Sequence, residues 1–159
     1  MSRIRLREAT PQDKAGMIAL VASLPEWFTP DDLETVREVI GPPGVVAVDG
    51  ADTIVGLLAW EQRADEWEIC WIAVARRLHR HGLGKRMLAW MVERAAAAGV
   101  ERIRVQTVAD TTDYEPYVPT RAFYAANGFR LVSLEPNGWP DGMDKAIYAR
   151  GLRPRKEDR

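Results

Sequence analysis

Apolar and polar residues alternate near the start of the chain. Arg3-Ile4-Arg5-Leu6-Arg7 has the period of two that predicts a first strand. The period then lengthens. Thr10 reads as an N-cap with Pro11 at the first helical position, and Met17, Ile18 and Val21 give one apolar face through about Ser23. An aromatic loop, Leu24 to Phe28, leads to Thr29-Pro30-Asp31-Asp32, where the cap logic repeats with acids in the first turn of a helix running to about Ile40. Gly41-Pro42-Pro43-Gly44 breaks it. Val45–Val48 and Thr53–Gln62, joined by a turn at Asp49 to Asp52, predict an antiparallel hairpin.

Glu66–Val74, EWEICWIAV, is rich in Trp, Ile and Val and reads as a mostly buried strand holding Cys70. Leu83, Met87, Leu88, Met91, Val92 and Ala95 then form one helical stripe, which Gly99 closes. Ile103, Val105 and Thr107 alternate with Arg102, Arg104 and Gln106, as in a strand with one wet face. A loop from Asp110 to Pro119 precedes a short helix, Thr120–Asn127, and two strands, Phe129–Leu134 and Lys145–Leu152. The order is β-α-α-β-β-β-α-β-α-β-β, a mixed α/β (α+β) fold. Residues 1–152 read as a single domain and residues 153–159 as a charged, frayed tail.

Between the central strand and the long helix lies a short loop with Gly82, Gly84, two histidines and the cations Arg76, Arg77, Arg80, Lys85 and Arg86. Strand, glycine-containing basic loop and helix together aim backbone N–H groups and a helix N-terminus at an anion. Spacing removes two phosphate-binding motifs. A P-loop needs a glycine where His79 stands and a hydroxyl where Arg86 stands; a dinucleotide fingerprint needs a glycine where Met87 stands.

Composition narrows the classes. A chain of 159 residues with 47% hydrophobic and 28% charged residues is sized and balanced for one soluble domain. Net charge is −1, so no overall basic character recruits nucleic acid, and no aromatic residue interrupts Arg76 to Arg86 to stack bases. No apolar run approaches the roughly 18 residues of a membrane span, and Met1 to Ala9 is charged rather than signal-like. The single cysteine, Cys70, excludes an internal disulfide and fits a reducing cytoplasm.

The segment from Glu66 to Gly99 resembles the acyl-CoA loop of the GNAT superfamily of N-acetyltransferases, whose pattern is Arg/Gln-x-x-Gly-x-Gly/Ala after a strand ending in a small residue and Val. Ala73-Val74 ends the strand, and His79-Arg80-His81-Gly82-Leu83-Gly84 lies on the motif, with His79 in place of Arg or Gln. A second anchor, Thr120-Arg121-Ala122-Phe123-Tyr124-Ala125-Ala126-Asn127-Gly128-Phe129, resembles the family's late motif; Tyr117 stands where an Asn or similar residue often precedes it. The resemblance covers nearly the whole chain. It implies a central, mostly antiparallel sheet flanked by helices. It also implies acetyl-CoA as co-substrate, held by Ile72, Ala73, Val74, His79, Arg80, His81, Gly82, Leu83, Gly84, Lys85 and Tyr117. No metal site is assigned.

Acetyl transfer to an amine needs a base for the amine, a donor to the carbonyl and stabilisation of the leaving thiolate. Cys70 is mid-strand and no Ser/His or Cys/His constellation is recognisable, so direct attack is the simpler route. By the same resemblance, Glu68 is the expected general base, with Glu66 of equal strand parity as fallback. Trp67, Ile69 and Trp71 are expected to crowd Glu68 and raise its pKa; its plain alternative is an exposed strand glutamate paired with Arg63 or Arg102. Tyr124 is the expected general acid, a phenol protonated below about pH 10. A backbone N–H near Ile72 to Val74 would polarise the carbonyl.

The acceptor is a small-molecule or peptide amine. Trp27, Phe28, Asp110, Asp113, Tyr114, Tyr117, Trp139, Asp141 and Asp144 are candidate walls for a cationic one. The competing reading is a non-catalytic acyl-CoA-binding or sensing domain. Neither nucleic acid nor membrane is expected as a partner. Trp60, Trp67, Trp71, Trp90 and Trp139 are many large aromatics for one small core, which raises a homodimer.

Overall fold

The computed structural model describes residues 3–152; the charged segment 153–159 lies outside the described residues. The elements are strand β1 (Arg5–Glu8), helices α1 (Lys14–Ala22) and α2 (Pro30–Val39), strands β2 (Gly44–Val48), β3 (Ile54–Gln62) and β4 (Glu66–Val74), helix α3 (Leu83–Ala97), strand β5 (Arg102–Val108), helix α4 (Val118–Ala126), and strands β6 (Arg130–Glu135) and β7 (Lys145–Gly151). This is the expected order. The strands follow one another in the sheet as β1-β2-β3-β4-β5-β7-β6. Strand β1 pairs antiparallel with β2, β2 with β3, β5 with β7, and β6 with β7.

Contacts gather into two compact units. One runs up to Glu61 and adds Ile69–Glu93; the other takes Gln62–Glu68 and the chain from Arg94 onward. In the first unit the helix starts follow their caps. The Thr29 hydroxyl accepts from the Asp32 N–H at 3.2 Å while the Asp32 carboxylate accepts from the Thr29 N–H at 2.9 Å, a reciprocal capping box. The turn Pro11–Asp13 enters α1 through the same device: the Asp13 carboxylate accepts from the Thr10 N–H at 2.8 Å. Asp13 also receives both arms of the Arg7 guanidinium, at 2.8 and 2.9 Å, and so ties α1 to β1. Met17, Val21, Val36, Val46, Val48 and Leu57 form the fully buried centre of this unit's core.

Gly56 positions the start of α3. A Cβ built there would lie 3.1 Å from Leu83 Cδ2 and 3.2 Å from both Ala47 Cβ and Met87 Sδ. The missing side chain is what lets the first turns of α3 lie close on β3.

In the second unit β5 and β7 pair without interruption from Arg102↔Gly151 to Val108↔Lys145. Strand β6 pairs β7 with a bulge, its register jumping from Leu131↔Tyr148 to Ser133↔Ile147. Helix α4 starts at Val118, two residues earlier than its expected start, because Pro119 falls in the first turn, where a missing N–H costs nothing. Gly128, with φ +88°, reverses the chain into β6.

One expectation is corrected. Strand β4 is less buried than its apolar run suggests: Trp67, Ile69 and Ala73 are buried, whereas Cys70, of the other parity, is exposed. Of the tryptophans, Trp60 and Trp67 are buried and Trp71, Trp90 and Trp139 half-buried. Among the described residues no helix is long and apolar enough to cross a membrane.

Candidate active site

Strand β4 ends at Val74, with Ala73 buried and Ile72 and Val74 half-buried. One helical turn, Arg76–Leu78, follows, and then His79, whose Nε2 lies 2.8 Å from the Val74 carbonyl oxygen. A carbonyl only accepts, so Nε2 carries the proton and donates. The ring also packs edge-on against Trp27, with centroids 5.6 Å apart. His79 therefore staples the far end of the loop back to the strand.

The loop then turns through two left-handed residues, Arg80 at φ +67° and Gly82 at φ +79°. Helix α3 opens at Leu83, which is buried, and its first backbone bond from this end runs from the Arg86 N–H to the Gly82 carbonyl at 3.1 Å. The N–H groups of Leu83, Gly84 and Lys85 precede that bond and have no partner within the helix. The cations divide into two sets. Arg76 forms a two-armed pair with Glu26 at 2.6 and 2.8 Å, holding the Glu26 carboxyl near pKa 2, Arg77 reaches Asp49 at 3.2 Å, and Arg86 donates to the Ile4 carbonyl. Arg80 and Lys85 are exposed and have no ion pair among the described residues. His81 and Gly82 are exposed beside them and Gly84 is half-buried. What remains open at the loop is two cations and the start of a helix, a set suited to a diphosphate.

Glu68 and Glu66 sit in the second unit inside an ionic network. Glu68 Oε1 lies 3.1 Å from Arg104 Nε and 3.5 Å from Arg63 Nη1, and Oε2 accepts from the Gln106 amide at 3.1 Å. Glu66 takes Arg102 at 2.8 Å, Arg63 at 3.6 Å and Arg104 at 3.8 Å. The expected apolar crowding of Glu68 is corrected by the pleat: Trp67, Ile69 and Trp71 have the opposite parity. Arg63 is found as a partner of Glu68, whereas Arg102 belongs to Glu66. Arg104 and Gln106 were missed, although both stand at the polar positions of β5 that alternation marks.

Tyr124 is buried, 2% exposed, with Phe123 and Phe129 rings each centred 5.4 Å away and Tyr148 at 6.4 Å. Burial first, and the neighbouring Tyr117 phenol second, push its pKa well above the ordinary tyrosine value. Tyr117 ends the turn that leads into α4 and pairs its ring with Tyr114, 5.7 Å between centroids.

Several expected acceptor walls are occupied by structure. The Asp144 carboxylate accepts from the Thr111 hydroxyl at 2.7 Å and the Asn137 N–H at 2.8 Å, which lower its pKa, while its own N–H donates to Thr112 Oγ1. Asp141 accepts from the Met143 N–H at 3.0 Å. The Trp139 indole donates to the Thr107 carbonyl at 3.2 Å under the Lys145 ammonium, 4.7 Å from the ring centroid. Phe28 is buried and packs on Trp71 at 6.2 Å. Asp110 and Asp113 are exposed, next to the Tyr114–Tyr117 pair in sequence.

The fold has well-defined relatives among solved structures. A GNAT-family protein from Desulfovibrio desulfuricans superposes with TM-score 0.82 at 24% identity, over 95% of this chain and 100% of that one. The ribosomal-protein-S18-alanine N-acetyltransferase of Escherichia coli gives 0.79 at 18% identity, over 99% of both chains. An aminoglycoside 6'-N-acetyltransferase complexed with coenzyme A gives 0.71 at 22% identity, over 95% and 98%. No curated protein matches the sequence. The model of the Acetyltransferase (GNAT) family matches residues 15–129, a span from α1 through the glycine loop to Phe129. With that span covering well over half of the sequence, the chain belongs to the GNAT acetyltransferase family.

Proposed function

We propose that this chain transfers the acetyl group of acetyl-CoA to a primary amine of a small molecule or peptide by direct attack on the thioester. The observation that carries the reading is the segment from Val74 to Gly84. His79 and the left-handed Arg80 and Gly82 fix its path, Leu83 anchors it, and the first N–H groups of α3 stand beside Arg80 and Lys85 without ion pairs. These groups fit a diphosphate by hydrogen bonds and charge. Bound acetyl-CoA supplies the activated acyl group and a thiolate leaving group.

Glu68 takes the proton of the attacking amine, directly or through a water. Its carboxylate is presented by Arg104 and Gln106, and that support orients it. Tyr124 acts as the acid. The burial that keeps its phenol protonated also makes it a weaker acid, so its first contribution is a hydrogen bond to the developing thiolate. A second reading, acyl-CoA binding without catalysis, is favoured by the ion pairs that already engage Glu68.

The test is a panel of amines with acetyl-CoA, read as free thiol release beside melting temperature. Acetyl-CoA is expected to raise the melting temperature, as a ligand that binds only the native state does. Gly84→Asp should fold, because an acid suits the first turn of α3, and should lose the shift through repulsion of the diphosphate. An unchanged shift in Gly84→Asp would place the ligand elsewhere. A shift with no thiol release from any amine would favour the binding-only reading.

A further inference from the structure

Strand β6 closes one end of the sheet order and carries a cluster of exposed apolar side chains. Leu131 is 52% exposed, Val132 61% and Leu134 42%, and no other element holds more than one exposed large apolar side chain among the described residues. Beside the strand Arg102, Arg130, Leu131, Val132, Ala149 and Gly151 line a shallow concavity. Arg130 and Glu135, at the two ends of the strand, are exposed and have no ion-pair partner among the described residues.

The six residues read Arg-Leu-Val-Ser-Leu-Glu, and their order is self-complementary when reversed. Two residues opposed across an antiparallel pair must turn their backbone groups the same way. In a regular strand Leu131 and Leu134, three apart, turn opposite ways. The bulge at Val132 changes this. Leu131 pairs Tyr148 and Leu134 pairs Ala146, two apart on β7, so both leucines have the same orientation. Arg130 pairs Ala149 and Glu135 pairs Lys145, four apart on β7, so these two also match each other.

We propose that β6 is a homodimer edge, pairing antiparallel with β6 of a second copy of this chain about a two-fold axis between Val132 and Ser133. Leu131 then opposes Leu134 of the partner on one face of the joined sheet. Arg130 opposes the partner's Glu135 on the other face, and the symmetry repeats each pair. The charges choose this occupant: a strand with a cation at one end and an anion at the other complements its own reversed copy. Pro136, directly after Glu135, offers no N–H and bounds the pairing at that end.

The experiment is light scattering and sedimentation of the full chain at tens of micromolar, with charge-reversal variants. The native chain should be a dimer. Arg130→Glu places two carboxylates opposite each other at both ends, and Glu135→Arg places two guanidiniums there, so each variant alone should be monomeric with native circular dichroism. Mixing the two variants opposes unlike charges again and should restore a dimer containing one of each. Hydrogen exchange of β6 amides should slow as the native chain is concentrated. A monomeric native chain, a dimer kept by both variants, or a mixture that stays monomeric would each overturn the proposal. None of these readouts depends on acetyl transfer, so a failed activity assay leaves this test intact.

Discussion

Glu68 is flanked in sequence by Trp67 and Ile69 but in space by Arg63, Arg104 and Gln106. A carboxylate in that company is held in a fixed orientation, and Glu68→Gln tests whether the orientation serves proton transfer. Glutamine keeps the shape and an acceptor oxygen for the Gln106 amide, so the fold should persist while kcat falls by about 10²–10⁴-fold with little change in acetyl-CoA affinity. The rising acidic limb of the rate profile should vanish or move to the pKa of the free amine. A native rate with an unshifted profile would pass the role to Glu66 or a water relay. Tyr124→Phe should lower kcat comparably. Because burial raises the phenol's pKa, the loss should be uniform across pH up to about 10. If instead the rate falls only in proportion to unfolded protein, Tyr124 is a packing residue among Phe123, Phe129 and Tyr148. The sequence pointed to Glu68 and Tyr124 by motif position. It named Arg63 beside Glu68 but not Arg104 or Gln106, because a pleat reverses adjacent side chains and these two come from β5, more than thirty residues away.

Among the elements, α3 and β3 are coupled through the absent side chain of Gly56. Gly56→Val would drive methyl groups into Leu83, Ala47 and Met87, all within 3.2 Å of the added Cβ. We expect destabilisation of about 1–3 kcal/mol, read in a denaturant melt, from overpacking at a site with little slack. Acetyl-CoA should also bind more weakly, since Leu83 anchors the glycine loop. An unchanged midpoint would mean that α3 moves away from the sheet at no cost. The elements themselves were legible because each is signalled locally: the capping box at Thr29, the alternation of β5 and the stripe of α3 need no distant partner. The bulge at Val132 was not legible. It exists only in the pairing of β6 with β7, and the six residues alone read as an ordinary strand. The exposure of Cys70 was hidden for a related reason: an apolar run gives burial on average, while alternation decides each position.

At the scale of the whole molecule, acid stability should be traceable to carboxylates that are hydrogen-bonded in the folded chain, foremost Asp13. Its hydrogen bonds from the Arg7 guanidinium, opposed by burial and aided by the Thr10 N–H, lower its pKa to about 2. A carboxyl whose folded pKa is depressed contributes stability that is fully present above its unfolded pKa, about 3.9, and is lost as pH falls through the folded value. For Asp13 that window runs from about pH 4 to about pH 2 and is worth roughly 2 kcal/mol. Asp144, lowered by Thr111 and the Asn137 N–H, acts in the same direction from the other unit. Melting temperatures of the native chain and of Asp13→Asn, followed from pH 7 to pH 2, separate this from general acid unfolding. The native chain should melt higher at pH 7, and the gap should close as Asp13 takes up its proton. The shared proton-uptake sites, Asp144 included, cancel in that difference. A gap that stays constant to pH 2 would assign the loss in Asp13→Asn to the cap geometry at Thr10 rather than to the charge that ties α1 to β1.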